Sequence, residues 1–430
     1  MPAESAPHAA TWMAYGATVS AWGDDTADAF GRDLSNSRTI ARQDLMRVAA
    51  NLSRFEPVFM LVDSNADKAQ ATAYLEAIAA QTSAKDQFHD AVDGSGRIYL
   101  GAGKSPEALP PIRTHPITFV VQHINDLWTR DTAPVFALDP DGRLHGVDLN
   151  FNCWGQFPLT TGLPGWTKDP EKTKNGVIDQ PIDGDRHVAK AVNRYVRTPE
   201  VSTWLTMEGG GLEVNGRGLG IACESSIIND NRNPGKSKTE IEAELRRVLG
   251  VEKMLWLPGV KGEELTDWHI DFTARFTSPS ELLFAFDTNF EPKDQRNQKA
   301  LAAAVDQINN LSGEEKARYL GSATATLTTH TLPVPDQAKV FQAFTARNTP
   351  SITARGLEEF ILTSAAGYVG YYEANGCVIM AQCGDVERDR QAHQTVQRLY
   401  PDRVVIQITS DGIASGGGTI HCATQQQPAT

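Results

Sequence analysis

Apolar positions along this chain fall in short clusters whose spacing alternates between the periods of helix and strand. Ala41 to Leu52 predicts a helix, Val58 to Val62 a buried strand, and Ala66 to Ala80 a second helix. The β-branched run Ile117 to Val121 predicts a strand. Phe136 to Leu149 predicts a hairpin turning at Asp141-Gly142. Ser237 followed by Glu240 is a capping box, and Ile241, Leu245, Val248 and Leu249 give the apolar stripe of a helix that Gly250 ends. Further on, Met254 to Leu257 and Leu282 to Phe286 predict strands and Asp294 to Leu311 a helix. A strand at Val378 to Ala381, a helix at Arg390 to Tyr400 and a strand at Val404 to Ile408 follow. Gly162 to Asp185, rich in Gly, Pro, Lys and Asp, predicts a long surface loop or an ordered cover. The rhythm is that of an α/β protein, yet no self-similarity at a fixed period and no Ser/Gly-rich linker is visible.

Composition narrows the class. With 40% hydrophobic and 22% charged residues, the 430-residue chain can bury a sizeable core. A formal net charge of −13 argues against nucleic acid as a partner; it mildly favours attraction of a cationic small molecule, although solubility is the plainer reason for such a charge. No apolar run is long enough for a membrane span, and Met1 to Ala10 lacks the pattern of a leader, so a cytoplasmic protein is expected. Five cysteines are too few and too scattered for a disulfide scaffold. None of the ten histidines stands in a zinc-binding spacing, so no metal is expected.

Four segments place polar residues among glycines and apolar runs: Asp126 to Asp131, Met207 to Gly211, Thr266 to Asp271, and Gly416 to Cys422. Glu208 follows the apolar stretch Trp204 to Met207 and precedes three glycines, a carboxylate at a strand end beside a sharp turn. On a strand, His269 and Asp271 would share a face, fit for acid–base work, a metal or a salt bridge. Cys422 is a candidate nucleophile. His421 beside it would point the opposite way on an extended chain. Together, two aspartates, a glutamate, a histidine and a thiol suit a guanidinium. Carboxylates bind the planar cation, a thiolate attacks its carbon, and an imidazole moves the protons.

These segments, in this order, resemble the agmatine deiminase and bacterial-type peptidylarginine deiminase family of the guanidino-group-modifying superfamily. The resemblance is carried most specifically by Gly416-Gly-Gly-Thr-Ile-His-Cys-Ala-Thr-Gln-Gln-Gln-Pro428 and Asn229-Asp-Asn-Arg-Asn-Pro234, with Met1-Pro-Ala-Glu4 and Pro7 to Trp12 at the start. It implies one catalytic domain over residues 1–430, a five-bladed pseudo-symmetric α/β propeller of ββαβ-type modules around a central site. It further implies a hydrolase of a guanidinium C–N bond, in the chemistry of polyamine metabolism, with no metal or organic cofactor and as a possible homo-oligomer. Cys422 resembles the nucleophile and His269 the acid–base residue. Asp131 and Asp271 resemble the carboxylates that grip the guanidinium, and Glu208 the one that supports the histidine. Trp128 resembles a pocket wall, while Trp12 and Tyr15 fit either the pocket mouth or a core strand. Gly416, Gly417 and Gly418 would let the backbone fold around substrate.

The substrate is expected to be agmatine-like, or else an arginine-containing peptide or another substituted guanidine. An amidinotransferase and a non-catalytic guanidine-binding protein are further readings. Asn150-Phe-Asn-Cys-Trp-Gly155 resembles the agmatine-type branch and has no arginine for a free carboxylate. Three positions depart from the family: Trp268 for a usual Gly, Phe272 for a usual Asn, and Gly370 for the Asn of a Tyr-x-Asn run. These changes imply a reshaped pocket or a different tail on the guanidine.

Overall fold

The computed structural model describes residues 1–23, 37–81, 110–155, 181–262, 265–285, 292–348 and 364–430. The predicted strands at Val58–Val62, Ile117–Val121 and Val404–Ile408 are present with those bounds. The hairpin pairs Val135–Leu138 with Leu144–Val147, Leu138 opposite Leu144, so its strands are shorter than the predicted run. Helices cover Ser37–Leu52, Asn65–Gln81, Pro292–Asn309 and Val386–Leu399, each starting earlier than the apolar pattern does. Helix ends are set by backbone hydrogen bonds and need not coincide with the first apolar position of the stripe. The capping box of Lys238–Leu249 is formed on both sides, and Gly250 closes that helix in the left-handed conformation. The strand predicted over Leu282 to Phe286 is Glu281–Phe284, and Phe286 lies outside the described residues. Most of the glycine- and lysine-rich stretch before Asp185 lies outside them too.

Among the described residues the strands form five small sheets, four of them built alike. An antiparallel pair comes first, then a helix, then a third strand parallel to the second. Parallel neighbours cannot be joined by a tight turn, and the helix supplies the crossover. The second sheet holds Val135–Leu138, Leu144–Val147 and Glu200–Val201, with Val188–Val196 as crossover. The third holds Leu212–Val214, Leu219–Cys223 and Lys253–Leu257, with Lys238–Leu249. The fourth holds Ala274–Ser278, Glu281–Phe284 and Thr328–Thr331, and the fifth Tyr372–Ala374, Cys377–Ala381 and Val404–Ile408. The first sheet differs, because its antiparallel pair joins the two ends of the chain. Gln425–Pro428 lies against His8–Ala14, which continues in parallel to Val58–Val62 and Ile117–Val121. This repetition was invisible in sequence because the units share a strand order and no residue pattern.

The largest apolar cluster packs Ser37–Leu52 against the first and fifth sheets and reaches Cys422. A second lies under the fourth sheet and its helices, around Leu282, Leu301 and Ile308. Among the described residues no helix is long and apolar enough to cross a membrane. All five cysteines are buried and none is in a disulfide.

Candidate active site

The segments that deliver the candidate side chains are short and irregular. Asp131 sits in the four-residue helix Thr129–Thr132. Glu208 is an extended residue before the 3-10 turn Gly209–Gly211, in coil and not at the end of a strand as the sequence suggested. His269 precedes a second such turn, Ile270–Phe272, which carries Asp271. The expected shared strand face for His269 and Asp271 is therefore absent. Cys422 lies in a turn ahead of Gln425–Pro428.

These turns bring all five side chains into one buried cluster. Nε2 of His269 is 3.0 Å from Oε2 of Glu208, and its Nδ1 faces Oδ1 of Asp131 at 4.0 Å. Sγ of Cys422 is 3.6 Å from Oδ2 of Asp271. Gly210 lies where the groups converge. A Cβ on it would stand 2.7 Å from Nδ1 of His269, 3.0 Å from Oδ2 of Asp271 and 3.2 Å from Oδ1 of Asp131. Two buried polar atoms in the cluster, Nδ1 of His269 and Oδ1 of Asp271, have no protein hydrogen-bond partner. Buried polar groups are normally hydrogen-bonded, so these two atoms are open to the donors and acceptors of a ligand.

Burial and charge set the protonation of the cluster. Burial alone would drive His269 towards neutrality, but Asp131, Glu208 and Asp271 overcome it and hold the imidazolium up to about 9. Burial, with Glu208 and Asp271 adding repulsion, lifts Asp131 to about 6 against the pull of His269. Burial also pushes Glu208 and Asp271 up, yet the Arg232 guanidinium beside the first and the hydrogen bond from His421 to the second hold both below the usual carboxylate range. Cys422, 4% exposed, is raised well above an ordinary thiol by burial and by the charges of Asp271 and Asp131. The site thus favours a neutral thiol until a cation enters between the carboxylates.

Several supporting residues were not read from the sequence. Arg232, in the Asn229–Pro234 run, donates from Nε to both oxygens of Glu208 (3.0 and 2.9 Å) and from Nη2 to the carbonyl of Thr266 at 2.9 Å. It thereby ties Glu208 to the loop that presents His269. Trp154, in the segment singled out for its substrate pattern, donates its indole N–H to Oδ2 of Asp131 at 2.8 Å. His421 does not lie on an extended chain. The turn aims its Nδ1 at Oδ2 of Asp271 and its Nε2 at Oε2 of Glu4, both at 2.8 Å. An imidazole can donate at both nitrogens only when doubly protonated. Glu4 also accepts from Arg130 at 2.9 Å and forms an ion pair with Arg275 at 2.8 Å. The signal for Arg232 and Glu4 was their membership of specific motifs. What they touch depends on contacts between distant segments.

The remaining predicted site residues take other places. Trp128 lies against the glycine run, and a Cβ on Gly418 would stand 2.1 Å from its ring. Gly417 takes a left-handed φ of 90°. Gly416 and Gly418 thus serve the approach of backbone to indole. Trp12 is fully buried, stacked on Phe59 at 4.6 Å with its N–H on Gln427, which is the core-strand alternative and not the pocket mouth. Tyr15 is likewise interior, bonded to Gln70 and covered by the Arg42 guanidinium. Trp268 packs partly buried beside the cluster around Leu219 and donates to Thr273 at 3.0 Å. Its φ of 79° is one that a glycine adopts without strain and a tryptophan does not. Among the described residues no cluster of three or more His, Cys, Asp and Glu is arranged to hold a metal ion.

Comparison with known proteins adds an independent line. A family model for Porphyromonas-type peptidyl-arginine deiminase matches residues 1–428. An agmatine deiminase of Stutzerimonas stutzeri is 30% identical over 430 residues, covering 100% of this chain and 95% of its own. One from Medicago truncatula is 30% identical over 444 residues, covering 100% and 96%. Among solved structures, the agmatine deiminase of Enterococcus faecalis superposes with a TM-score of 0.68 at 25% identity, covering 100% of this chain and 95% of that one. A substrate-bound agmatine deiminase of C. jejuni shares the fold, with a TM-score of 0.65 at 17% identity and coverage of 100% and 96%.

Proposed function

The chain belongs to the Porphyromonas-type peptidyl-arginine deiminase family, and from that premise we propose that it hydrolyses an agmatine-like guanidine to a ureido product and ammonia. The observation that carries this reading is the convergence of His269, Asp131 and Asp271 on the space beside Gly210, with Sγ of Cys422 3.6 Å from Oδ2 of Asp271 and with Oδ1 of Asp271 and Nδ1 of His269 left unpartnered. A planar cation placed there meets carboxylates on its N–H edges and sulfur at its central carbon.

The steps follow from the charges. The incoming guanidinium offsets Asp131 and Asp271, so the thiol of Cys422 releases its proton to solvent and the thiolate attacks the carbon. The C–N bond breaks and ammonia departs with a proton from His269. Nε2 is held by Glu208, so Nδ1 is the atom that transfers it. A covalent thiouronium remains on Cys422. Water, deprotonated by the now neutral His269, adds to the carbon. The C–S bond then breaks to free the ureido product, and the thiolate regains a proton. Asp131 and Asp271 hold the carbon in line throughout.

Agmatine is favoured as substrate by the names of the full-length relatives and by the absence of an arginine in Asn150 to Gly155. We read the chain as one catalytic unit with its repeated sheets set as five propeller blades. The pairing of His8–Ala14 with Gln425–Pro428 supports that arrangement. The test supplies agmatine, free arginine and end-blocked arginine peptides separately, and measures ureido product and ammonia, with Cys422→Ala as control. Agmatine turnover lost in that variant is the expected result. Turnover of blocked peptides alone would move the substrate to peptidyl-arginine, and no turnover by the folded protein would overturn the reading.

A further inference from the structure

Gly370 departs from its family's pattern, and the structure shows what takes the space. A Cβ at Gly370 would stand 2.2 Å from Oγ1, 2.4 Å from Cβ and 2.5 Å from Cγ2 of Thr419. The branched side chain of Thr419 therefore fills the volume that any residue other than glycine would claim. The carbonyl of Gly370 also accepts the backbone N–H of His421 at 3.0 Å, which fixes the turn to the same strip of chain. So held, Oγ1 of Thr419 lies 3.3 Å from Sγ of Cys422.

We propose that Thr419 is a catalytic residue of this chain, donating its hydroxyl hydrogen to Sγ of Cys422 in the thiolate state, and that Gly370 is required because it leaves room for Thr419. The inference rests on Cys422 being the nucleophile. The other side of the sulfur explains why a donor is needed. As a thiol, Cys422 can donate to Oδ2 of Asp271 at 3.6 Å. On deprotonation that contact turns repulsive, and Asp131 adds to the repulsion from the Thr129–Thr132 helix. The imidazoles nearby face other groups: both nitrogens of His421 are bonded to Asp271 and Glu4, Nε2 of His269 is bonded to Glu208, and its Nδ1 faces Asp131 at 4.0 Å. A hydroxyl is neutral and can rotate, so it accepts from the thiol and donates to the thiolate without moving a heavy atom. Both the hydroxyl and the backbone amide of Thr419 favour the ionised sulfur.

The test reads the sulfur directly. Thr419→Val keeps the branched shape and removes the donor, and Thr419→Ser keeps the donor. Second-order alkylation of Cys422 by iodoacetamide at pH 9, in protein shown folded by circular dichroism, should slow about five- to tenfold in Thr419→Val. Thr419→Ser should stay within about twofold of wild type, since the donor is retained. Gly370→Ala should slow like Thr419→Val, because the added methyl displaces the hydroxyl. Wild-type rates in Thr419→Val would overturn the proposal, as would equal slowing in the Val and Ser variants, which would indicate packing alone. Alkylation needs no substrate. If the rates change as expected while none of the three guanidines is turned over, the deiminase reading fails and the hydrogen bond from Thr419 to the Cys422 thiolate stands.

Discussion

Replacing Gly210 with alanine puts one methyl group at the centre of the site and tests whether the cluster is a working geometry. The backbone of Gly210 is not left-handed, so alanine is conformationally tolerated and the effect is one of contact. The new carbon would stand 2.7 Å from Nδ1 of His269. Ordinary contact is roughly 3.5 Å, so one partner must retreat by about 0.8 Å. The imidazole cannot do so freely, because Nε2 is bound to Glu208, which Arg232 grips through both oxygens. Misplacement of a reacting group on the order of 1 Å costs about a hundredfold in rate. Gly210→Ala should therefore lose about two orders of magnitude in kcat, while overpacking costs roughly 1–3 kcal/mol and moves the melting temperature by only a few degrees. Gly211→Ala is the matched control. Its added carbon would stand 3.7 Å from His269, an ordinary contact, and turnover should stay within a few-fold of wild type. Steady-state kinetics on agmatine with thermal melts of all three proteins decide it. Near-wild-type kcat in Gly210→Ala, or an equal loss in Gly211→Ala, would refute the reasoning.

Two further outcomes follow. Arg232→Gln leaves Glu208 buried without its guanidinium partner, which should cost about 3–5 kcal/mol, read as a lower urea midpoint together with reduced kcat; an unchanged midpoint contradicts it. The pH profile of kcat/KM should be a bell. It rises as Asp131, lifted to about 6, ionises to hold the cation, and falls as His269, held up to about 9, loses the proton it must deliver; a flat profile across that range would oppose both assignments.

Local signals served where the chain's own pattern decides the structure. The Ser237–Glu240 box and the strand at Val58–Val62 depend on neighbours in sequence, and both stand where the pattern puts them. The candidate chemical residues were legible because glycines and polar groups interrupt apolar runs. Their partners were not. The His269–Asp271 spacing suggested a pair, yet the 3-10 turn gives His269 to Glu208 and Asp271 to His421. Residues 61 and 150 positions apart in sequence meet only through packing, which no local spacing encodes. Trp12 illustrates the reverse case. Its motif hinted at the pocket, whereas an indole on a central strand stacks on Phe59 in the interior.

The strand pairing that joins the two ends of the chain also sets when the site comes into being. Cys422 is followed almost at once by Gln425–Pro428, which finds its partner at His8–Ala14, and the backbone N–H of Arg130 meets the carbonyl of Cys422 at 3.0 Å. Such contacts span most of the polypeptide and cannot form while the tail is still in the ribosome. A nascent chain can complete its second, third and fourth sheets and still lack Cys422 beside Asp271. Assembly of the cluster around Cys422 thereby waits on the docking of Gln425–Pro428 against His8–Ala14, after the sheets between them have formed.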